Sequence, residues 1–337
     1  MILVTGGSGY IGSHTCLALA EAGVAYAVLD NFYNSDPDVL HRIESITGQP
    51  FPFFKGDVRD TSLLNRIFAS YKISGVIHFA GLKAVAESVQ HPLTYFDANV
   101  AGSLCVLQAM ERAGCKRFVF SSSATVYGDA KVIPFTEDMP CTVANPYGRT
   151  KLMVEDMLAD LEQSDPSWHI ARLRYFNPVG AHESGLIGEH PNGVPNNLMP
   201  FVAEVAAGLR SVLAVFGGDY STPDGTCIRD FIHVMDLAQG HVAALKYLDR
   251  QPGNLVVNLG TGKGTSVLEM IRAFEKASGR SVPYKITDRR SGDVPAYYAD
   301  VQRARRVLGW QAKRSIDDMC RDAWRWQVAS SNLSKGG

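Results

Sequence analysis

What the sequence lacks narrows its meaning first. It has no apolar run approaching the roughly 20 residues that a membrane-spanning helix needs. Nor is there a basic stretch followed by an apolar one near its start, where Ile2 already begins a strand pattern. Neither sign of charge dominates. The 33 basic and 34 acidic side chains leave a net charge of −1, with a pI of about 6.8. Such a balance gives no electrostatic case for nucleic acid or a membrane surface. Six cysteines (Cys16, Cys105, Cys115, Cys141, Cys227 and Cys320) are scattered, with no Cys-x-x-Cys and no Cys/His cluster. They fit neither a disulfide frame nor a zinc site, and read as reduced packing residues of a cytoplasmic protein. Internal repeats, low-complexity tracts and flexible linkers are also missing. A length of 337 residues suggests one large domain or two intimate ones.

What is present begins with a strand pattern over residues 2–5. Gly6, Gly9 and Gly12 follow in Gly-Gly-Ser-Gly-Tyr-Ile-Gly, and then an amphipathic helix pattern runs to Ala22 and stops at Gly23. A second strand over 25–29 ends in Asp30, 18 residues after Gly12. This is a βαβ unit with a glycine turn. Its glycines let the backbone approach a pyrophosphate, and the helix N-terminus offers that anion free N–H groups and a positive dipole end. Asp30 would accept hydrogen bonds from an adenosine ribose and repel a 2′-phosphate, which favours NAD over NADP.

The alternation continues. Residues 51–55 read as a strand, with Asp57 placed to meet an adenine, to cap the helix that starts at Thr61, or to do both. Residues 75–79 form a fourth strand that ends in the small pair Ala80 and Gly81. His78 within it reads as buried packing. A single long helix is expected over 92–113, with Val100, Leu104 and Leu107 on its inner face. A fifth strand over 116–120 delivers Ser121, Ser122 and Ser123 to its carboxyl end, where open α/β sheets bind ligands. Backbone capping is the plain reading for such serines.

A helix is expected over 145–162. Asn145 suits the N-cap, Pro146 the first turn, and Val154, Leu158 and Leu161 the buried stripe. Tyr147 and Lys151 are four apart and share a face. A phenol becomes a base near neutral pH only if its pKa falls from about 10, and a nearby ammonium biases it that way. Ser123, Tyr147 and Lys151 are thus the candidate proton-handling set. A sixth strand over 170–174 follows, after which the rhythm breaks into a long loop over 181–197. A helix over 266–277 is capped by Ser266, and the tail after Ser330 reads as frayed. The expected fold is α/β: a Rossmann-type doubly wound parallel sheet over 1–177, with a smaller mixed α/β substrate domain over 178–337, some of whose segments return to the sheet.

Six stretches carry a family resemblance. They are Thr5-Gly-Gly-Ser-Gly-Tyr-Ile-Gly-Ser-His14, His78-Phe-Ala-Gly-Leu-Lys-Ala-Val85, Ser121-Ser-Ser-Ala-Thr-Val-Tyr-Gly128, Tyr175-Phe-Asn-Pro-Val-Gly-Ala-His182, Pro195-Asn-Asn-Leu-Met-Pro200 and Arg229-Asp-Phe-Ile-His-Val-Met-Asp236. Over nearly its whole length the chain resembles the extended short-chain dehydrogenase/reductases, and within them the enzymes that invert nucleotide sugars at C4. The resemblance implies that NAD is held by Gly6, Gly9, Tyr10, Ile11, Gly12, Asp30, Asn31, Asn34, Ser35, Asp57, Val58, Phe79, Ala80, Gly81, Lys83 and Phe176. It implies that Ser123, Tyr147 and Lys151 act on the sugar, with Lys151 also reaching the nicotinamide ribose. Asn177, Asn197, Leu198, Ala214, Val215, Phe216, Arg229, Arg290 and Asp293 would hold the nucleotide half, and Tyr297 would gate the sugar 2-substituent. UDP-glucose and UDP-galactose are the implied partners, and a homodimer through the 92–113 and 146–162 helices the implied assembly.

The chain departs from the family pattern in two places. Ala98 stands where Asn is often found, while the helix-bending Asn99 remains. Arg149 and Thr150 replace a frequent Lys-Ser and are expected at exposed helix positions. The nearest rival is a nucleotide-sugar 4,6-dehydratase, which would need an additional Asp-Glu pair; Ala124 and Thr125 occupy that place. A net dehydrogenase of the same fold would release NADH. A non-enzymatic NAD-sensing module would usually lack the Tyr or Lys that this chain keeps.

Overall fold

The computed structural model describes the chain except residues 130, 131, 191, 194, 196, 252, 291, 292 and 334–337, and the side chains of 332 and 333. The last residues of the tail and parts of the 181–197 loop therefore lie outside the described residues. The final helix, Ile316–Leu333, continues beyond Ser330, where fraying was expected.

Seven parallel strands form the central sheet. The first six in the chain are β1 (Ile2–Thr5), β2 (Tyr26–Asp30), β3 (Phe53–Lys55), β4 (Gly75–His78), β5 (Arg117–Ser123) and β6 (His169–Tyr175). Across the sheet the order is Asn254–Leu259, β6, β5, β4, β1, β2, β3. The direction of winding reverses between β1 and β4, where Thr5 pairs with both Leu29 and His78. Crossovers from β1 run to either side of that point, which opens a crevice at the strands' carboxyl ends. The inner strands are buried along their length, as parallel strands covered on both faces must be.

One face is covered by the helices Tyr10–Glu21 and Val234–Leu248 over Val4, Val28, Ile77 and Leu173. The other is covered by Thr61–Ser70, Gly102–Arg112 and Pro146–Ser164 over Leu3, Leu29, Val76 and Phe118. Burying each Leu, Ile or Val side chain contributes about 2 kcal/mol. The first helix is not amphipathic as expected. Residues 12–19 are buried consecutively, because the Val234–Leu248 helix covers its outer side.

The expected 92–113 helix is present, but it is not regular along its length. It consists of Pro92–Tyr95, a π-helical turn Phe96–Ala101, and Gly102–Arg112. Asn99 explains the irregularity. Its Oδ1 accepts from Leu82 N at 2.7 Å, and its Nδ2 donates to Leu82 O at 3.0 Å and to Thr150 Oγ1 at 2.9 Å. A side chain that must bond the loop after β4 shifts the helix by a residue, and π turns of this kind recur at functional sites. Past the turn Leu104 faces outward, not inward. Thr150, expected to be exposed, is fully buried, since its hydroxyl receives Asn99 and donates to Tyr147 O at 2.7 Å. Asp57 does not cap the next helix. Asp60 does so, accepting from Leu63 N at 2.9 Å.

Beyond β6 three small sheets form. Asn177–Val179 pairs with Phe231–His233; Ile228–Arg229 lies between Thr265–Ser266 and Ala296–Tyr297; Leu213–Phe216 pairs with Tyr284–Thr287. A second core, with Met199, Val202, Phe231, Met270, Phe274 and Met319, lies under them. The helix Val267–Ser278 starts in a full capping box between Ser266 and Glu269.

Candidate active site

A cavity of ≈ 1090 Å³ runs along the carboxyl ends of the strands and under the small sheets. At one end it meets the glycine turn. Gly6 has φ +70°, and a Cβ on Gly12 would sit 2.2 Å from the Gly6 carbonyl oxygen. The turn is therefore too tight for side chains, and it leaves the N–H groups of the Tyr10–Glu21 helix at the cavity floor. Asp30 stands beside it, with Oδ2 accepting from Ser8 N at 2.9 Å and Oδ1 from Phe32 N at 2.8 Å and Ser35 Oγ at 3.2 Å. Burial raises the Asp30 carboxyl, and those hydrogen bonds oppose the rise. Asn31 joins Asp57 at 3.0 Å, and Arg59 holds the Asp57 carboxyl down to about 2. Ile11, Asn34, Val58, Phe79, Ala80 and Gly81 also line this end. Tyr10 ties its hydroxyl to Gly180 O at 2.7 Å. A tight glycine turn, free helix N–H groups and a carboxylate at the end of β2 fit a dinucleotide.

The three serines have three different tasks. Ser121 Oγ donates to Tyr175 OH at 3.0 Å, and Ser122 Oγ donates to Glu155 Oε1 at 2.5 Å. Ser123 Oγ accepts from Thr125 N at 3.2 Å and from Thr125 Oγ1 at 2.9 Å, capping the turn Ala124–Tyr127. With both acceptor positions filled, Ser123 keeps one proton to donate. β5 extends through all three, beyond the boundary expected from the sequence.

Tyr147 and Lys151 lie on the Pro146–Ser164 helix, whose N-cap Asn145 accepts from Gly148 N at 2.8 Å. Lys151 Nζ donates to Ser121 O at 2.8 Å and lies 5.9 Å from the centre of the Tyr147 ring. Burial lowers the Lys151 ammonium to about 8, with Glu155 opposing. The Tyr147 phenol is not depressed as expected. Burial pushes it well up, Tyr175 adds to the rise, and a hydrogen bond with Ser123 works the other way. The reason is geometric: the ammonium points at a carbonyl and not at the phenol oxygen. His78 is packing, as expected, held between Thr5 Oγ1 at 2.7 Å and Ser103 Oγ at 3.0 Å. Tyr127 is likewise buried, with its hydroxyl on Asn258 Oδ1 at 2.6 Å.

At the far end Asn177, Asn197, Arg229, Arg290, Asp293 and Tyr297 line the cavity, with Phe176 between the two halves. Asp293 holds Arg229 at 3.3 Å and Arg290 at 3.0 Å, so both guanidinium groups converge on one wall. Tyr297 packs 5.5 Å from the Phe176 ring and donates its hydroxyl to Ala124 O. Four residues expected here do not line the cavity. Leu198 starts the helix behind Asn197, Val215 is buried, Ala214 faces outward, and Phe216 lies 4.9 Å beneath the Arg290 guanidinium. Sequence reading missed Glu189. It sits in the loop where periodicity fails, bonding Lys83 Nζ at 3.0 Å and Asn197 Nδ2 at 2.5 Å. It thereby joins the two ends of the site.

A parallel Rossmann sheet with Ser, Tyr and Lys converging at its carboxyl edge defines the extended short-chain dehydrogenase/reductase class. The family model described as GDP-mannose 4,6 dehydratase matches residues 3–323. The chain is 56% identical to the UDP-glucose 4-epimerase of Neisseria meningitidis serogroup C, over 98% of each protein. Among solved structures it is similar to UDP-glucose 4-epimerase from Stenotrophomonas maltophila with bound NAD and formylated UDP-arabinopyranose. That likeness has a TM-score of 0.97 and 51% identity, over 98% of this chain and 99% of that one. The Bifidobacterium longum UDP-glucose 4-epimerase in complex with NAD+ and UDP gives a TM-score of 0.95 and 52% identity, over 98% and 99%. The chain belongs to this extended family of nucleotide-sugar enzymes, and within it to the UDP-glucose 4-epimerases. Among the described residues no helix is long and apolar enough to cross a membrane.

Proposed function

We propose that the protein interconverts UDP-galactose and UDP-glucose by inverting the sugar at C4, with NAD retained as a bound catalyst. The observation that carries this reading is the meeting, in one cavity, of the glycine-turn cradle, the Ser123–Tyr147–Lys151 set and the Arg229–Arg290 wall. Arginine forks suit a pyrophosphate, which anchors the nucleotide while the hexose keeps freedom to turn. NAD supplies a hydride acceptor for C4 and a donor for its return. Tyr147 takes the proton from the 4-hydroxyl as the C4–H bond breaks, leaving a 4-ketopyranose. Ser123 directs its remaining O–H into a hydrogen bond on the same path and keeps its proton throughout. After the ketosugar turns over, Tyr147 returns the proton to O4 on the opposite configuration. Lys151 keeps a positive charge up to about pH 8, 5.9 Å from the Tyr147 ring centre, which offsets part of the penalty that burial puts on the phenolate. Ala124 and Thr125 offer no acid/base pair for dehydration across C5 and C6.

The test is conversion of UDP-galactose to UDP-glucose with no NAD added. Activity there supports both the reaction and the retained cofactor; accumulation of free NADH with excess NAD would point instead to a net dehydrogenase. We place the protein in the cytoplasm, which its six free cysteines support. We also propose a homodimer through the 92–113 and 146–162 segments, supported by the outward Leu93, Leu104 and Met153. A sedimentation mass of one chain would sink that assembly.

A further inference from the structure

The proposed mechanism leaves one buried charged cluster unused. Glu155 sits one turn beyond Lys151 on the Pro146–Ser164 helix, and its side chain is 2% exposed. Oε1 accepts from Ser122 Oγ at 2.5 Å and from Arg174 Nε at 3.0 Å; Oε2 accepts from Arg174 Nη2 at 2.6 Å. Ser122 and Arg174 face each other in the β5–β6 register. Arg172, also on β6, donates Nη1 to the Glu155 carbonyl at 2.9 Å. One residue thus fastens the helix to two central strands, through side chain and backbone together. On the other side, Arg174 Nη1 donates to Tyr127 OH at 3.2 Å and to Glu137 O at 3.2 Å.

As a strut alone this pair is a poor choice. Two buried ions lose their hydration, and apolar side chains of the same shape are often as stable. An apolar pair, however, would supply neither the grip on Ser122 nor an anion near Lys151. Ser122 lies between Ser121, whose carbonyl receives the Lys151 ammonium, and Ser123, whose hydroxyl faces the cavity. The groups facing Lys151 are Tyr147 on its own helix, Ser121 and Phe120 on β5 and His78 on β4; a second phenol, Tyr175 on β6, accepts from Ser121 Oγ at 3.0 Å. Burial keeps His78 neutral, lowering it to about 3, and it raises both phenols. That leaves Glu155 as the anion acting on the ammonium.

We propose that Glu155 is a positioning residue for the Ser–Tyr–Lys set: gripped by Arg174, its carboxylate fastens the helix to Ser122 and so holds Lys151 on the Ser121 carbonyl, in step with Ser123. This rests on the function proposed above.

The test compares Glu155→Gln, Ser122→Ala and the double variant Glu155→Gln/Arg174→Met in the full chain. Glu155→Gln is expected to lower kcat for UDP-galactose about 30-fold with KM within about twofold of wild type. It also moves the alkaline limb of kcat to lower pH by about one unit, because an anion that favours the ammonium has been removed. Ser122→Ala buries no new charge and is expected to lower kcat about fivefold with the limb in place. The double variant regains thermal stability but neither kcat nor the limb. Wild-type kcat and limb in both single variants would overturn the proposal. So would a double variant that regains kcat along with stability, because a strut alone behaves that way. If Glu155→Gln does not fold, Ser122→Ala decides: a fall in kcat at constant KM supports the role, and unchanged kcat overturns it. A wild-type chain that leaves UDP-galactose unconverted overturns the parent reading as well, which separates the two failures.

Discussion

Lys151 gives its ammonium to the carbonyl of Ser121 at 2.8 Å, with the Tyr147 ring centre 5.9 Å away. The lysine is therefore held by the strand that carries Ser123, and it acts on the phenol through space. Burial brings it to about 8, so below that pH it is the ammonium and above it the free amine. A rate that needs the ammonium must fall as pH rises through about 8. In Lys151→Met, kcat is expected to drop roughly 100- to 1,000-fold and the alkaline limb to vanish. A pH profile of kcat from 6 to 10 checks both.

The same substitution is expected to stabilise the fold. The folded state releases the Lys151 proton near pH 8 and the unfolded chain near 10.5, so the unfolded chain binds more protons between those values. Stability consequently rises with pH across that window, and the full cost, about 3 kcal/mol, applies below pH 8. Lys151→Met removes the cost and forfeits a hydrogen bond. A Tm a few degrees above wild type at pH 7, with the gain shrinking from about pH 8 upward and gone above 10.5, is the expected result. Thermal melts across that range decide it.

Tyr147→Phe should leave folding intact, since its hydroxyl meets Ser123 and not the packing that holds the helix. A fall in kcat of about 1,000-fold or more, with KM changed only a few-fold, is expected of a lost proton acceptor. Unchanged single-turnover reduction of bound NAD by UDP-galactose would assign the base elsewhere.

Gly12→Ala tests the cradle. The new Cβ would lie 2.2 Å from the Gly6 carbonyl oxygen, which is backbone and cannot give way cheaply. The purified variant is expected to carry little or no NAD, measured by absorbance after denaturation, and to need added cofactor for any activity.

Tyr297→Cys opens the wall opposite Phe176 by removing a ring 5.5 Å from it and the hydrogen bond to Ala124 O. Conversion of UDP-N-acetylglucosamine is expected to rise at least tenfold relative to UDP-glucose, since the larger 2-substituent then has room. No gain in that ratio would remove Tyr297 from any gating role.

Sequence alone carried the parts of the fold that local chemistry dictates. Asn145 and Pro146 start their helix as capping rules require, Ser266 caps the helix that follows it, and the βαβ unit ends in Asp30. What it missed depends on contacts distant in the chain. The π turn at Asn99 exists because its side chain bonds Leu82 and Thr150, 17 and 51 residues away. Helical periodicity contains no trace of that. Phe216 reads as an aromatic wall, yet strand pairing with Tyr284–Thr287 sets it under Arg290. The signal for Glu155 was present but unread. Arg172 and Arg174, two apart in an otherwise apolar strand, needed a buried anion, and a glutamate four residues after Lys151 shares the face that offers one.

The Asn254–Leu259 strand has a consequence for synthesis. It lies beside β6 along its whole length, yet is made about eighty residues later. Until it leaves the ribosome, β6 presents a bare row of backbone donors and acceptors. A nascent chain that ends after Tyr175 already contains the glycine turn, Ser123, Tyr147 and Lys151, but it carries them on a sheet with an open edge. Chaperone dependence and aggregation are expected to concentrate in that interval of translation and to subside once Leu259 has emerged.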